Sequence, residues 1–444
     1  MRQVQVENIT KISLTDAVKA MKFALSAEKS DRNAPRQIPL LLGPPGQGKT
    51  AIVDGLAASL NDEREREILS LIEKNITRQK AEEAVGAEWS VVNYRLIQCD
   101  PTDLKGVPLY QTVDGIEMSA NAPPQWFPII GVPNSAKGKN VIIFLDELPQ
   151  APSTLQNLAA NICDGKIGDY LLDFSRCFIV AAGNRKEDRA ATFEIPTNVG
   201  NRSTALSVLT TFAEWEDWAM KNNISPLVIG FLKANQTVFN QPPPEDSFIF
   251  ATPRSWHRLS TLLKSMGTEE FLNPEGVGLA MAQGSVGVAV ATQFYQFVKT
   301  AYNEFSVDDI VEGRRVKIPT DKQKDILFSI MLECANRINT WVAEAVSSAG
   351  YQGVLSKMPS QEERSKAFIT ALGNKKVNYI NNIYKWISSE QIDPAWKILI
   401  NKYQSSTAQG QLRYAIMTHP DFEETSKSYL EITKKLGDIQ KERL

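Results

Sequence analysis

The chain has 444 residues, 43% of them hydrophobic and 23% charged, which is typical of a globular protein of about two or three domains. Its 49 Lys and Arg residues against 51 Asp and Glu residues do not indicate a broad nucleic-acid surface, although a local basic patch in a ring or groove stays possible. Four scattered cysteines and two histidines argue against a disulfide framework and a His-rich zinc site, and they favour free thiols in a reducing compartment.

The N-terminal region, residues 1–36, predicts a helix and a linker. Apolar residues recur at helical spacing over residues 13–27, with Ser13 or Thr15 as N-cap. The first residues contain no apolar signal segment, so we expect a cytoplasmic protein. A short buried strand at Ile38–Leu42 then runs into a glycine-rich turn and a helix over residues 50–60.

Residues 37–213 alternate predicted strands with helices. The charged residues 61–88 predict a solvated helical insertion. Further strands are predicted at residues 91–99, 140–145 and 177–182, and the continuous apolar run of the second of these is typical of burial on both faces of a parallel sheet. The pattern favours an α/β fold: an αβα sandwich around a parallel central sheet.

Beyond residue 213 helical periodicity dominates. Ser360 and Glu363 predict a capping box, and Gly373 predicts the end of that helix. Residues 276–298 carry no charge, but their glycines and glutamines fit a buried helix better than a membrane span, so we expect no membrane association.

The strongest motif is the segment GPPGQGKT, which matches the P-loop pattern in full between a predicted strand and a predicted helix. Its glycines let backbone N–H groups surround phosphates at a helix N-terminus. Lys49 is expected to reach the β- and γ-phosphates of ATP, and the Thr50 hydroxyl to bind Mg²⁺. The predicted nucleotide-binding residues are Gly43, Pro44, Pro45, Gly46, Gln47, Gly48, Lys49, Thr50 and Ala51.

Two adjacent carboxylates, Asp146 and Glu147, follow the predicted strand at residues 140–145. We expect Asp146 to help hold Mg²⁺ and Glu147 to orient and polarise the attacking water, because phosphoryl transfer depends mainly on positioning and charge stabilisation. An acidic pair at a strand end is a weak signal alone and a strong one beside a P-loop.

Over residues 37–265 the chain resembles the AAA+ ATPases, and among them the MoxR-like branch. The resemblance rests on the P-loop, the acidic pair, the segment Asp103–Gly106, and the residues Ala151, Pro152, Gln156 and Leu158 after the acidic pair. It implies that Asn184, which follows the strand at 177–182, is a polar sensor that contacts the γ-phosphate or the attacking water.

The resemblance assigns two arginines to catalysis. Arg202 would be the arginine finger that reaches the nucleotide of a neighbouring subunit, although Asn201 replaces the family's acid before it, and Arg185 and Arg189 are rivals. Arg254, in the first turn of a predicted helix, would be the second sensor.

By the same resemblance, residues 214–315 would form an α-helical lid, and residues 316–444 a helical C-terminal extension. The subunits would form a ring, a hexamer, that remodels a protein client, and a separate von Willebrand A protein is one candidate. Tyr110 or Trp126 would face the pore, but Tyr110 fits a core position equally well. Two other functions stay open: a nucleic-acid-linked motor or switch, and a nucleotide-gated scaffold with little turnover.

Overall fold

A computed structural model of the chain describes residues 9–430, apart from residues 31–35, 37, 186–187, 189–192, 194, 246, 358–359, 394–395, 398–399, 402–403, 405, 424 and 428. The chain divides into two compact units. The first unit consists of Met1–Trp215 and Pro242–Arg254, and the second of Glu216–Gln241 and Ser255–Leu444. The predicted division into an ATPase core, a lid and a C-terminal extension stays a prediction.

The first unit contains the strands. They are β1 (Lys11–Ile12), β2 (Ile38–Leu42), β3 (Trp89–Arg95), β4 (Val107–Val113), β5 (Ile116–Ala122), β6 (Asn140–Asp146), β7 (Lys166–Ile167), β8 (Tyr170–Leu171), β9 (Cys177–Gly183) and β10 (Ser203–Val208). Helices up to residue 200 are α1 (Leu14–Ser30), α2 (Lys49–Glu73), α3 (Arg78–Val85), α4 (Pro101–Lys105), α5 (Ser153–Cys163) and α6 (Thr197–Gly200).

The central sheet has six parallel strands in the order β1-β10-β2-β9-β6-β3. Strand β2 therefore lies between β10 and β9, with Leu42 in register with Gly183. On the next pair, Leu145 of β6 is in register with Ala181 of β9. Because all six strands run the same way, the loops after β2, β6, β9 and β10 leave from one edge of the sheet.

Both faces of this sheet are covered, which explains the unbroken apolar runs of its strands. On one face Leu41 belongs to a buried cluster with Met21 of α1 and Val53 of α2. On the other face Leu40 and Leu42 belong to a second cluster with residues of α5 such as Leu155. The predicted αβα sandwich with a parallel central sheet is confirmed.

The charged insertion is helical, as predicted, but it is not a separate element. Helix α2 continues from the P-loop to Glu73, and α3 follows after a short turn. Ile68 and Ala81 are fully buried, so one side of this segment packs and the other carries the charges. The Ser13 hydroxyl accepts a hydrogen bond from the Asp16 backbone N–H at 3.0 Å, which confirms the predicted cap of α1.

The strands β4, β5 and β10 were not predicted from the sequence, nor were the two-residue strands β1, β7 and β8. Strands β4 and β5 pair in an antiparallel hairpin from Val107↔Ala122 to Val113↔Ile116. Its turn residues Asp114 and Gly115 have φ of 52° and 81°, as a type I′ turn requires. Strand β10 pairs with β2 on one side and with the edge strand β1 on the other, although its sequence, STALSV, is only half apolar.

From residue 212 onward the described elements are helical. They are α7 (Phe212–Lys221), α8 (Pro226–Ala234), α9 (Pro253–Met266), α10 (Thr268–Phe271), α11 (Gly278–Val286), α12 (Val288–Glu304), α13 (Val307–Val311), α14 (Lys324–Ser347), α15 (Ala349–Leu355), α16 (Gln361–Leu372), α17 (Asn374–Ile387) and α18 (Ser406–Thr418). Helix α14 supplies much of the core of the second unit, with Met331, Cys334 and Ile338 buried.

Local signals in this helical part agree with the sequence. The Ser360–Glu363 capping box is present, and Gly373 ends α16. The uncharged stretch 276–298 is divided between α11 and α12 at Gly287. In the described part of the chain, no helix combines the length and apolar character that crossing a membrane requires. The cysteines are free, with Cys99 half-buried and Cys163, Cys177 and Cys334 buried.

Candidate functional site

The P-loop connects β2 to α2 at the carboxyl edge of the sheet. Gly46 and Gly48 have φ of 80° and 77°, a backbone region that L side chains rarely adopt. A Cβ on Gly43 would lie 2.5 Å from the Val208 carbonyl oxygen, so this glycine is required for the close approach to β10. Lys49 and Thr50 form the first turn of α2, with Ala51 exposed beside them, while Pro44 and Pro45 are half-buried.

Gln47 anchors the P-loop to the segment that follows β10. Its side chain is buried, and its Oε1 accepts a hydrogen bond from the Thr210 backbone N–H at 3.1 Å. The Thr210 hydroxyl donates in turn to the Gln47 carbonyl oxygen at 2.8 Å. Thr210, which was not predicted as a site residue, thus ties the end of β10 to the P-loop. The structure gives Gln47 this packing role beside its predicted place in the nucleotide-binding loop.

The Lys49 ammonium lies at the centre of the site. It donates to the carbonyl oxygens of Gly43 and Pro44 at 2.7 and 2.9 Å, and to Asn184 Oδ1 at 2.8 Å. Burial lowers the pKa of Lys49 to about 8, against the opposing effect of the Asp188 and Asp146 carboxylates. A buried ammonium of this kind gains from a further negative group, such as a phosphate.

Asp146 and Glu147 stand where β6 ends. Burial holds the pKa of Asp146 above its ordinary value. The hydrogen bond that it accepts from the Glu147 backbone N–H at 3.0 Å and the charges of Lys49, Arg95 and Arg254 act in the opposite direction without outweighing burial. Glu147 has a φ of 60°, a strained conformation of the kind found at functional sites. Its Oε2 is buried and has no hydrogen-bond partner among the residues that the structure describes.

Asn184 follows β9 and joins Lys49 to the segment after the acidic pair. In the amide orientation that matches donors with acceptors, Gln150 Oε1 accepts from the Asn184 backbone N–H at 2.9 Å and from Asn184 Nδ2 at 3.2 Å. Gln150 Nε2 donates to the Glu147 carbonyl oxygen at 3.3 Å. Sequence reasoning missed Gln150, because a glutamine three residues after a carboxylate carries no signal of its own.

Arg254 also lies against the P-loop. A Cβ added to Gly46 would lie 3.0 Å from Thr252 Oγ1 and 3.4 Å from the Arg254 Cβ. The Arg254 charge acts on both Lys49 and Asp146, lowering the pKa of each. The structure thus brings Lys49, Asp146, Glu147, Asn184 and Arg254 together around the loop.

Arg202 lies at a different place on the first unit, directly after α6. Its Nη2 donates to Asp164 Oδ2 at 2.8 Å, its Nε donates to Asp164 Oδ1, and its Nη1 donates to the Asn198 carbonyl oxygen. Its rival Arg185 forms a paired contact with Asp188, at 3.1 Å from Nε and 2.9 Å from Nη2. Arg189, the other rival, lies outside the described residues.

The two aromatic residues considered for a pore differ in exposure. Tyr110, on β4, is 82% exposed, so it is not a core aromatic. Trp126 is 43% exposed, with the Lys137 ammonium 5.4 Å from its ring centroid. The neighbouring Phe127 is buried and stacks on Tyr94 with 5.3 Å between ring centroids.

The site fits a nucleotide and a magnesium ion. The positive-φ glycines shape the loop, the buried Lys49 ammonium would gain from a phosphate charge, and the unpartnered Glu147 oxygen is an atom that a water molecule would satisfy. Thr50 and Asp146, the residues predicted to hold a cation, carry side-chain oxygen atoms of the kind that Mg²⁺ binds. Within the described ranges no group of three or more metal-binding side chains occurs, and Mg²⁺ at nucleotide sites typically keeps waters and phosphate ligands beside one or two protein groups.

No protein-family model and no curated protein matches this chain. Among solved structures it is similar to a point mutant of RuvB from Thermotoga maritima, at 12% identity and a TM-score of 0.29, over 81% of this chain and 86% of that chain. A second is PCH-2 from C. elegans, at 12% identity and a TM-score of 0.27, over 65% of this chain and 68% of that chain. Both proteins are AAA+ ATPases. At these values the likeness carries no argument about activity, which depends on the site.

Proposed function

We propose that this chain is an ATPase of the AAA+ class, in the MoxR-like branch, whose subunits form a ring, a hexamer, and remodel or assemble a partner protein complex. The observation that carries the ATPase activity is the convergence of the Lys49 ammonium, the Asp146 and Glu147 carboxylates and the Asn184 amide at one edge of the sheet.

Each side chain has a proposed task. Lys49 would bind the β- and γ-phosphates of ATP, exchanging carbonyl and amide contacts for charged ones. Thr50 and Asp146 would hold Mg²⁺, which when bound neutralises charge on the phosphates. Glu147 would orient a water and accept its proton, and its unpartnered Oε2 is the atom suited to this.

The two remaining tasks concern the γ-phosphate. Asn184 already points its amide oxygen at Lys49, so a phosphate that draws this ammonium away changes what Asn184 contacts. Arg254 adds positive charge to the same region and would act as the second sensor. Arg202, which lies elsewhere and is partly exposed, would serve the site of a neighbouring subunit.

A pair of variants tests these roles. Lys49→Ala should lose ATP binding, whereas Glu147→Gln should keep binding and lose about 10²- to 10⁴-fold in hydrolysis, because it removes only the proton acceptor. Glu67→Gln, an exposed carboxylate change on α2, is the matched control and should leave both unchanged. Binding is measured by fluorescent-nucleotide titration, and hydrolysis by phosphate release. Equal loss of binding in both variants would refute the assignments.

Client remodelling is supported by the exposed Tyr110 on the β4–β5 hairpin, where an aromatic ring is available to grip a polypeptide. The test is a pull-down from native lysate with tagged Glu147→Gln held in ATP. A defined protein complex, or a separate von Willebrand A protein, supports remodelling. Nucleic acid with its processing enzymes, together with salt-sensitive stimulation of hydrolysis by DNA or RNA, would instead indicate the nucleic-acid motor. Turnover far below one per minute with every partner would favour the scaffold.

A further inference from the structure

Arg202 and Asp164 form a two-point ion pair between the segment after α6 and the end of α5, 38 residues apart in the chain. Asp164 is the C-cap residue of α5, so its backbone is fixed by a helix that packs on the central sheet. The side chains of Arg202 and Asp164 are 34% and 38% exposed. The pair therefore lies at the surface of the first unit, within reach of another molecule.

The contacts occupy some of the guanidinium donors and leave others without a partner among the described residues. An arginine side chain has five N–H donors. Three of them are engaged: Nε and one on Nη2 by the Asp164 carboxylate, and one on Nη1 by the Asn198 carbonyl oxygen. The remaining donors, one on Nη1 and one on Nη2, have no partner among the described residues, and N–H donors of a guanidinium bind phosphate oxygens well.

The sequence around Arg202 lacks a carboxylate where the resemblance leads one to expect it. Asn201 occupies that position, and it is exposed at the C-cap of α6. The carboxylate that contacts Arg202 comes instead from Asp164, on a different helix. The acid is therefore absent from the local sequence, whereas the fold places a carboxylate from a different helix beside the guanidinium.

We infer that Asp164 is the positioning residue that holds Arg202 in the orientation in which it contacts the ATP phosphates of a second copy of this chain. The inference rests on the proposed function and deepens it. A free arginine side chain samples many rotamers, and a guanidinium fixed on one side by a carboxylate loses fewer of them when it binds phosphate. Asp164 itself touches no substrate and acts only through Arg202.

The experiment mixes two inactive full-length variants. The donor, Glu147→Gln, cannot hydrolyse ATP but offers Arg202 to its neighbour. The acceptor, Arg202→Ala, keeps Glu147, but in a ring of acceptor subunits alone no neighbour supplies an arginine finger. A mixture of the two should hydrolyse ATP faster than the sum of the separate variants, because acceptor sites next to a donor regain Arg202.

Asp164→Asn is then placed in either partner. In the donor it should lower the regained rate about tenfold, with little change in the KM for ATP, because an unconstrained arginine pays its rotamer entropy in the transition state. In the acceptor, which has no Arg202 to position, the same substitution should change nothing. Asp164→Glu in the donor should restore part of the regained rate.

The outcomes distinguish a failure of the inference about Asp164 from a failure of the proposed function. A mixture of the unmodified donor and acceptor that regains no activity overturns the trans-acting finger, and the inference with it. A regained rate unaffected by donor Asp164→Asn overturns the inference and leaves the proposed function intact. If Asp164→Asn lowers the regained rate equally in donor and acceptor, Asp164 is a structural residue. If Asp164→Asn in the donor raises the regained rate, Asp164 holds Arg202 back from the phosphates. Either result contradicts the positioning role.

Discussion

Gly183, the last residue of β9, lies against the segment that follows the acidic strand end, and adding one methyl group there tests this packing. An ideal Cβ on Gly183 would lie 2.1 Å from Pro149 Cδ, 2.6 Å from Pro149 Cγ and 3.0 Å from the side-chain amide of Gln150. The proline ring is rigid and cannot move away as the end of a flexible side chain would. Gly183→Ala must therefore displace the Pro149–Gln150 segment or the end of β9.

Overpacking of a well-packed interior typically costs about 1–3 kcal/mol, and the 2.1 Å contact puts this substitution near the upper end. Gly55, on α2, is the matched control, because a Cβ there would meet nothing within 4 Å. Gly55→Ala should stabilise the protein by about 0.8–1 kcal/mol through helix propensity. The two variants should then differ by about 4 kcal/mol, or roughly 8–16 °C in Tm.

Thermal unfolding followed by circular dichroism measures the difference in Tm, and phosphate release measures its effect on catalysis. Gly183→Ala should also lower turnover, since Pro149 and Gln150 lie two and three residues after Glu147 and the Gln150 amide donates a hydrogen bond to the Glu147 carbonyl oxygen. Gly55→Ala should keep full turnover. A Gly183→Ala protein with wild-type Tm and activity would refute the packing of this segment against β9.

Three further predictions concern single side chains. Gln150→Leu removes the amide between Asn184 and Glu147 and should lower turnover about 3- to 10-fold while binding of a fluorescent nucleotide is unchanged; unaltered turnover would contradict the link. Burial raises the pKa of Glu214, but hydrogen bonds from Thr15 and Thr211 outweigh it and hold the pKa below its ordinary 4.5. Its stabilising effect is therefore present above about pH 4.5 and is lost as the pH falls through the lowered value, so the Tm deficit of Glu214→Gln should shrink from pH 7 to pH 3 and not grow. Tyr110→Ser should leave basal hydrolysis unchanged and weaken retention of the client in the ATP-held pull-down, and equal retention would exclude Tyr110 from client contact.

The central strands could be predicted because burial on two faces leaves a simple record in the sequence. Strands β2, β6 and β9 are short apolar runs that end in glycine or a carboxylate, and each was predicted within a residue or two. Strand β10 leaves no such record. Its residues Ser203 and Thr204 resemble a turn, and only pairing with β2 makes the segment a strand.

The β4–β5 hairpin shows a different limit. Its sequence carries the signal of a hairpin, an Asp114-Gly115 turn between two alternating runs, although no strand was predicted there. The exposure of Tyr110 follows from it, because an isolated two-stranded hairpin covers little of its own surface. Local sequence therefore contains the information for this hairpin, whereas the information for β10 lies in its neighbours in the sheet.

The features of the site also fall into two groups, those that follow from the sequence and those that depend on the fold. Parallel strands place their carboxyl ends at one edge, so the proximity of Lys49, Asp146 and Asn184 follows from sequence alone once the strands are known. The contacts that tune these groups do not follow, because they depend on register and rotamers. Gln150 meets Asn184 only because Gly183 lets Pro149 approach β9 within van der Waals contact.

The surroundings of Arg202 likewise depend on the fold and not on the local sequence. The sequence departs at Asn201 from the pattern of the family that it resembles, because an amide stands where that pattern has an acid. In the fold, Asp164 supplies a carboxylate to the same guanidinium from 38 residues away, and two of the guanidinium donors keep no partner among the described residues. A lost local residue is therefore no evidence of a lost function until the surroundings of its partner in the fold are known.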